Sequence, residues 1–153
     1  MKTVEFAIPG IPKGKQRPKV TVQGNYAHAY TPKETVNYEN YVKLMYQTCK
    51  DKKFLEGAIG AVIQAIFPIP KSTSKKNIAL MREGKIRHTK KIDCDNLAKI
   101  ILDSLNGIAY KDDAQVCELL VCKYYGDEPK VEVMLYEIYP NEVQDIRQIK
   151  GGR

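Results

Sequence analysis

Lys91-Ile92-Asp93-Cys94-Asp95-Asn96-Leu97-Ala98-Lys99 is the stretch on which the reading of this chain turns. It places two carboxylates at the head of a helix and a lysine one turn further on. Asp93 or Asp95 can cap that helix, which is expected to run to about Asn106 and to stop at Gly107. Leu97, Ile100, Ile101 and Leu105 recur at helical spacing and form its buried stripe. Lys99 follows Asp95 by one turn and shares its face. Asp103 continues that face, but eight residues of helix rise about 12 Å, too far for Asp103 to share a cation with Asp95. Asp103 is therefore expected to pair with Lys99 or to meet solvent. If Asp93-Cys94-Asp95 is still extended, both carboxylates point one way and Cys94 points to the core.

Working outward, Lys85-Ile86-Arg87-His88-Thr89-Lys90-Lys91 leads into the acidic stretch and is basic and extended. Beyond it, Ile108-Ala109-Tyr110 brings the chain to Lys111-Asp112-Asp113-Ala114-Gln115. Val116 to Tyr124 and Lys130 to Ile138 then read as strands joined at Gly126-Asp127-Glu128-Pro129, an expected antiparallel hairpin. Cys117 and Cys122 are expected on opposite sides of it. The tail from Pro140, residues 141–153, is polar and expected to fray.

Towards the start, Val4, Phe6 and Ile8 alternate in a strand over residues 2–8. Ile11 to Lys19 is a loop rich in Gly, Pro and positive charge. Val20 to Tyr30 suggests a small hairpin or arm, with Tyr26, His28 and Tyr30 on one face. Thr31-Pro32-Lys33-Glu34 is a helix start, with Thr31 as cap and Glu34 completing a capping box. That helix runs to about Cys49 with Tyr38, Tyr41, Val42, Met45 and Cys49 on one apolar side. Ala58 to Phe67 is apolar on both faces and is expected to be a central strand. Ser72 to Glu83 reads as an exposed basic helix ending at Gly84.

The chain has 153 residues and a formal net charge of +7. Residues 1–91 hold 18 Lys/Arg against 6 Asp/Glu, a balance of +12; residues 92–153 hold 7 against 12, or −5. A basic front half suggests a polyanionic partner. Lys13, Lys15, Arg17, Lys19, Arg87, Lys90 and Lys91 are the candidate contacts to a phosphate backbone. The length fits one domain, residues 1–140. No apolar run spans a bilayer and no secretory h-region opens the chain, so a cytoplasmic protein without a membrane partner is expected. Cys49, Cys94, Cys117 and Cys122 form no C-x-x-C pair, which argues against zinc and against a disulfide framework.

An acidic cluster in a basic protein has a chemical use. Magnesium prefers carboxylate and water oxygens. In phosphodiester hydrolysis, cations can generate hydroxide and stabilise the leaving oxygen, and a lysine can neutralise charge on the phosphorus. Asp93, Asp95 and Asp113 as ligands with Lys99 as electrophile would supply those parts. The same residues can also be read as a helix cap, a solvated turn and an ordinary i,i+4 pair worth about 0.2–0.5 kcal/mol.

Asp93-Cys94-Asp95-Asn96-Leu97-Ala98-Lys99, then Leu102-Asp103-Ser104-Leu105-Asn106-Gly107, then Asp112-Asp113-Ala114-Gln115-Val116, resembles the RusA family of Holliday-junction resolvases of bacteria, their phages and prophages. Gly14-Lys15-Gln16-Arg17-Pro18 and Ala29-Tyr30-Thr31-Pro32 extend the resemblance over most of the chain up to about Ile138. It implies a small α/β fold of α+β type, a mixed sheet with helices packed on it, working as a homodimer. It also implies Mg2+-dependent paired nicking of four-way junction DNA in recombination and repair, with no small-molecule cofactor. Carried over by position, Asp93, Asp95, Lys99 and Asp113 are the catalytic residues, with Asp112 adjacent as a further candidate ligand. Cys94 stands where a larger aliphatic residue is expected. Two other readings stay open: a basic nucleic-acid-binding module without catalysis, and a metal-dependent nuclease for other branched DNA or RNA.

Overall fold

The structure is a computed structural model and describes residues 2–139. In chain order its elements are β1 (Thr3–Pro9), β2 (Lys19–Gln23), β3 (Tyr26–Tyr30), α1 (Lys33–Thr48), β4 (Ile59–Pro68), α2 (Lys75–Arg82), α3 (Cys94–Ser104), a 3₁₀ turn (Asp113–Gln115), β5 (Val116–Gly126) and β6 (Lys130–Glu137). The expected tail lies outside the described residues. No helix among them is long and apolar enough to cross a membrane.

Four strands form a mixed sheet in the order β1-β6-β4-β5, and β2 and β3 form a separate ribbon. β4 is central, as its apolar run predicts. It pairs antiparallel with β6 and parallel with β5. The expected hairpin of β5 with β6 does not form. β4 lies between them, so the turn at Asp127-Glu128-Pro129 steps across its end. Turn residues and alternation describe two strands and a reversal, but they do not choose partners. A β5–β6 hairpin would compete with β4, the most apolar strand, for its neighbours and push it towards an edge, where backbone groups go unpaired.

One face of the sheet carries the core. Val4, Phe6, Ile8, Ile63, Ala65, Val131, Val133 and Leu135 are buried there, under Tyr38, Val42 and Tyr46 of α1 and Leu97, Ile100 and Ile101 of α3. Each fully buried large side chain stabilises the fold by about 1.5–3 kcal/mol. Phe6 meets the Tyr46 ring edge-on, centroids 5.2 Å apart. Among the described residues no helix covers the other face: Val62, Ile66 and Met134 are only half-buried and Leu120 is exposed. β4 is therefore closed on one side, not both.

Two local expectations are also corrected. Pro32, not Thr31, occupies the N-cap of α1, and no side chain caps it. Glu34 accepts instead from Gln16 Nε2 at 3.1 Å, which ties the basic loop to the helix and removes the expected capping box. α2 begins at Lys75 because Ser74 caps it, accepting from Asn77 N at 3.3 Å, rather than at Ser72.

Candidate active site

Asp93 caps α3. Its Oδ1 accepts from Asn96 N at 2.9 Å, so the helix begins at Cys94 and not beyond Asp95. The segment Asp93-Cys94-Asp95 is thus not extended, and the two carboxylates do not point together as a strand would make them. Cys94 does not reach the core either; it is exposed, with Sγ 3.8 Å from Val121 O at the free edge of β5. The same edge is covered by the basic strap before α3. Arg87 Nε donates to Lys123 O at 2.7 Å, and Lys123 Nζ donates to Lys90 O at 2.5 Å.

Asp95 and Lys99 are exposed on α3 and make no ion pair among the described residues. Asp103, one turn beyond, does not take Lys99 as partner. Lys15 Nζ approaches Asp103 Oδ2 at 2.5 Å and Glu39 Oε1 at 3.7 Å. Lys15 is half-buried, and its ammonium is engaged within the protein. Burial pulls the Lys15 pKa down, but the bond to Asp103 and the charges of Asp103 and Glu39 outweigh it and hold it above the usual lysine value. The loop that carries Lys15 is fastened along its length. Lys15 N donates to Asn96 O at 3.4 Å, and Gln16 N to Thr35 Oγ1 at 3.3 Å. A Cβ on Gly14 would fall 2.4 Å from Ile92 Cγ2, so only glycine lets this backbone lie so close to the head of α3.

Asp113 returns to Asp103 through a tightly bonded loop. Gly107, at φ +74°, donates to Tyr110 O at 2.7 Å, and the fully buried Tyr110 donates from its hydroxyl to Leu102 O at 2.7 Å. Asn106 Oδ1 accepts from Asp113 N at 2.7 Å. Asp112 caps the 3₁₀ turn, accepting from Ala114 N at 2.9 Å, while Gln115 Oε1 accepts from Asp112 N at 3.1 Å. Asp112 thus has a structural duty that the sequence left open. Burial, then hydrogen bonds with Asp112 and Asp103, push the Asp113 carboxyl above the ordinary carboxylate range. The Ala114 N–H and the Asp113 carboxyl draw Asp112 below it.

The structure therefore brings Asp103, Asp112 and Asp113 together and strings Asp95 and Lys99 along the same helix. Among the described residues, no three His, Cys, Asp or Glu side chains are arranged to hold a metal ion. The donor set still suits a hard cation. Magnesium is commonly held by one or two carboxylates with waters and substrate phosphates completing its shell. A carboxyl raised above its ordinary range beside two others is also short of positive charge. Asp103 was missed from the sequence because its distance was judged from Asp95 alone, whereas the loop at 106–112 sets its neighbour.

Beside Asp93 lies an open cleft of about 680 Å³, lined by Lys13, Lys15, Lys90, Lys91 and Lys123 with Gln16, Glu34 and Asn96. Lys123 was not singled out in the sequence because it sits inside a strand with no charged neighbour to flag it. Arg17 and Lys19 are exposed on the loop and at the ribbon's root. Arg87 lies flat over Tyr124, 3.8 Å from the ring centroid.

An α+β fold that sets carboxylates and a lysine on one helix, next to a lysine-lined cleft, has the groups that handling a phosphate ester needs. A family model described as Endodeoxyribonuclease RusA matches residues 9–136. The chain belongs to the RusA endodeoxyribonuclease family, nucleases that act on DNA. It is also 34% identical over 140 residues to the uncharacterized protein YqaN of Bacillus subtilis (strain 168), covering 90% of this chain and 99% of that one.

Proposed function

We propose that this protein resolves four-way DNA junctions by paired, symmetric, magnesium-dependent hydrolysis of phosphodiester bonds, in recombination and repair within a bacterial or phage-infected cell. The observation that carries this reading is the return of Asp113 to Asp103 on the helix that also bears Asp95 and Lys99, alongside a cleft lined by lysines. Asp93, Asp95 and Asp113 are the residues that would hold magnesium, with Asp112 beside them. Bound there, the ion would supply Lewis-acid charge neutralisation and a more acidic water.

The chain's own residues do the rest. Lys13, Lys90, Lys91 and Lys123 hold backbone phosphates in the cleft. Lys99, which makes no ion pair among the described residues, donates to the phosphoryl oxygens as negative charge develops on the phosphorus. Asp103 and Lys15 fix the Asp113 carboxyl in place. Two identical sites match the two symmetric cleavage points of a junction, which supports a two-fold dimer. The sheet face left open among the described residues, where Val62 lies between Met134 and Leu120, is the surface we assign to the second copy.

The test is incubation of the protein with labelled four-way junction, linear duplex, flap and RNA, each with magnesium or chelator. Symmetric nicks confined to the junction, lost in chelator and lost in Asp113→Asn with binding retained, are expected. Binding that ignores magnesium and yields no nicks would instead favour a non-catalytic nucleic-acid-binding module. Cleavage of flap or RNA in preference would move the substrate and keep the chemistry.

A further inference from the structure

Among the described residues β2 and β3 pair only with each other, and all ten of their residues are exposed, Val22 to 69% and Tyr26 to 83%. A two-stranded ribbon is marginal by itself in water. A chain that commits ten residues to one presents them to something outside its own fold. The register divides the ribbon into two unlike faces. Lys19 opposite Tyr30, Thr21 opposite His28 and Gln23 opposite Tyr26 share one face. Val20 opposite Ala29 and Val22 opposite Ala27 share the other. One side is aromatic and polar, the other small and apolar.

Three observations indicate what the aromatic face meets. The first is charge: between Glu5 and Glu34 the chain has no Asp or Glu, while Lys13, Arg17, Lys19 and Lys33 are all exposed there. The second is continuity. The ribbon grows from the loop and the helix start whose residues Lys13, Gly14, Gln16, Glu34 and Thr35 line the cleft beside Asp93. The third is spacing. Alternate side chains on a strand stand about 6.8 Å apart, roughly twice the 3.4 Å rise per nucleotide along one strand of a duplex. Tyr26, His28 and Tyr30 alternate, so one base fits between successive rings.

We propose that the aromatic face of the β2–β3 ribbon is a second DNA contact, which takes unpaired bases at a branch point by stacking on Tyr26, His28 and Tyr30, with Lys19 on an adjoining phosphate. This rests on the junction-nuclease reading above. Every base has a flat face, so such a contact selects unstacked strands rather than sequence. It gives the protein a means of preferring a branch over a duplex that base-edge hydrogen bonds would not provide.

The test uses the full chain in chelator, with 2-aminopurine at the branch of a four-way junction, and compares wild type, Tyr26→Ala/Tyr30→Ala and the opposite-face variant Val22→Thr. Binding, 2-aminopurine fluorescence, melting temperature and solution mass are read together. The aromatic variant should lose about 5–150-fold in junction affinity for each stacked base given up. It should leave the fluorescence unmoved, bind linear duplex nearly as wild type does, and keep its mass and melting temperature. Val22→Thr should match wild type. Wild-type junction affinity and fluorescence response in the aromatic variant would overturn the proposal. So would a fall in solution mass in either variant, which would make the ribbon a clasp between subunits. If wild type shows no preference for junction over duplex, the junction reading itself fails, and the ribbon is then judged by whether Tyr26→Ala/Tyr30→Ala weakens binding of a single-stranded oligonucleotide.

Discussion

Lys15 Nζ donates to Asp103 Oδ2 at 2.5 Å across 88 residues of sequence. The contact joins the basic loop to the acidic helix, and Asp103 in turn helps to raise the Asp113 carboxyl. It divides the loop's cations by role. Lys15 is spent within the protein, while Lys13, Arg17 and Lys19 face outward.

Lys15→Met should therefore behave unlike Arg17→Ala. Losing a half-buried charged hydrogen bond costs about 1–2 kcal/mol, a drop of a few degrees in Tm. Cleavage should fall about 10–100-fold, because Asp113 loses its support. The salt dependence of junction binding should stay as in wild type. Arg17→Ala should lower that slope by about 0.9 for the lost phosphate contact and leave the cleavage rate of bound junction unchanged. Binding titrations over a range of salt, with single-turnover cleavage, separate the two. A shallower slope in Lys15→Met would return Lys15 to the DNA surface.

Asp113→Asn should stabilise the metal-free protein. The folded pKa of Asp113 is raised, by burial first and then by Asp112 and Asp103. A raised carboxyl favours folding below its unfolded pKa and loses that contribution as pH rises through the folded value. At neutral pH the ionised group is thus a burden, and Asn, which resembles the protonated form, removes it. In chelator the variant should melt above wild type at pH 7, with the gap closing as pH falls. Magnesium should raise the wild-type Tm by mass action and leave the variant nearly unmoved. Thermal melts on a grid of pH and magnesium check both signs.

Gly14→Ala should disable the enzyme without touching a charged group. The new Cβ would meet Ile92 Cγ2 at 2.4 Å and Asn96 Cβ at 3.2 Å. Ile92 is branched at Cβ and cannot swing that methyl away cheaply. The loop must lift instead, at about 1–3 kcal/mol, and Lys15 leaves Asp103 with it. The expected result is lower Tm together with slower cleavage. An unchanged Tm would mean that the loop is not seated on α3 as described.

Much of this was legible in the sequence, and the parts that were not share a cause. Alternation located β1, an apolar run on both faces located β4, and the stripe of Leu97, Ile100, Ile101 and Leu105 located α3, because burial leaves its mark on the sequence. Partner choice leaves none, so the two last strands were read as a hairpin when β4 stands between them. The site divides in the same way. Asp93 as a cap follows from local chemistry. The pairing of Asp103 with Lys15 rather than Lys99 depends on a loop 88 residues away. Asp112 became a capping residue only once the 3₁₀ turn and Gln115 were in view.

His88 gives the fold an acid sensitivity that can be removed. Its ring stacks on Phe67, centroids 3.6 Å apart at 8°, and meets Tyr125 edge-on at 5.2 Å. Among the described residues its Nδ1 is buried without a partner. Burial, then the charges of Lys123 and Lys90, lower its pKa from 6.5. A base with a lowered folded pKa contributes stability above its unfolded pKa and loses it as pH falls through the folded value. Wild type should therefore weaken as pH drops from about 6.5, and the strap of Arg87, Lys90 and Lys91 should loosen with it. His88→Phe keeps an aromatic ring on Phe67 and has no proton to accept. Its denaturant midpoint should run flatter than wild type between pH 6.5 and 5, and junction binding should hold better at the acid end. Equal slopes in the two proteins would show that His88 keeps its ordinary titration and that the acid loss, if any, comes from the carboxylates.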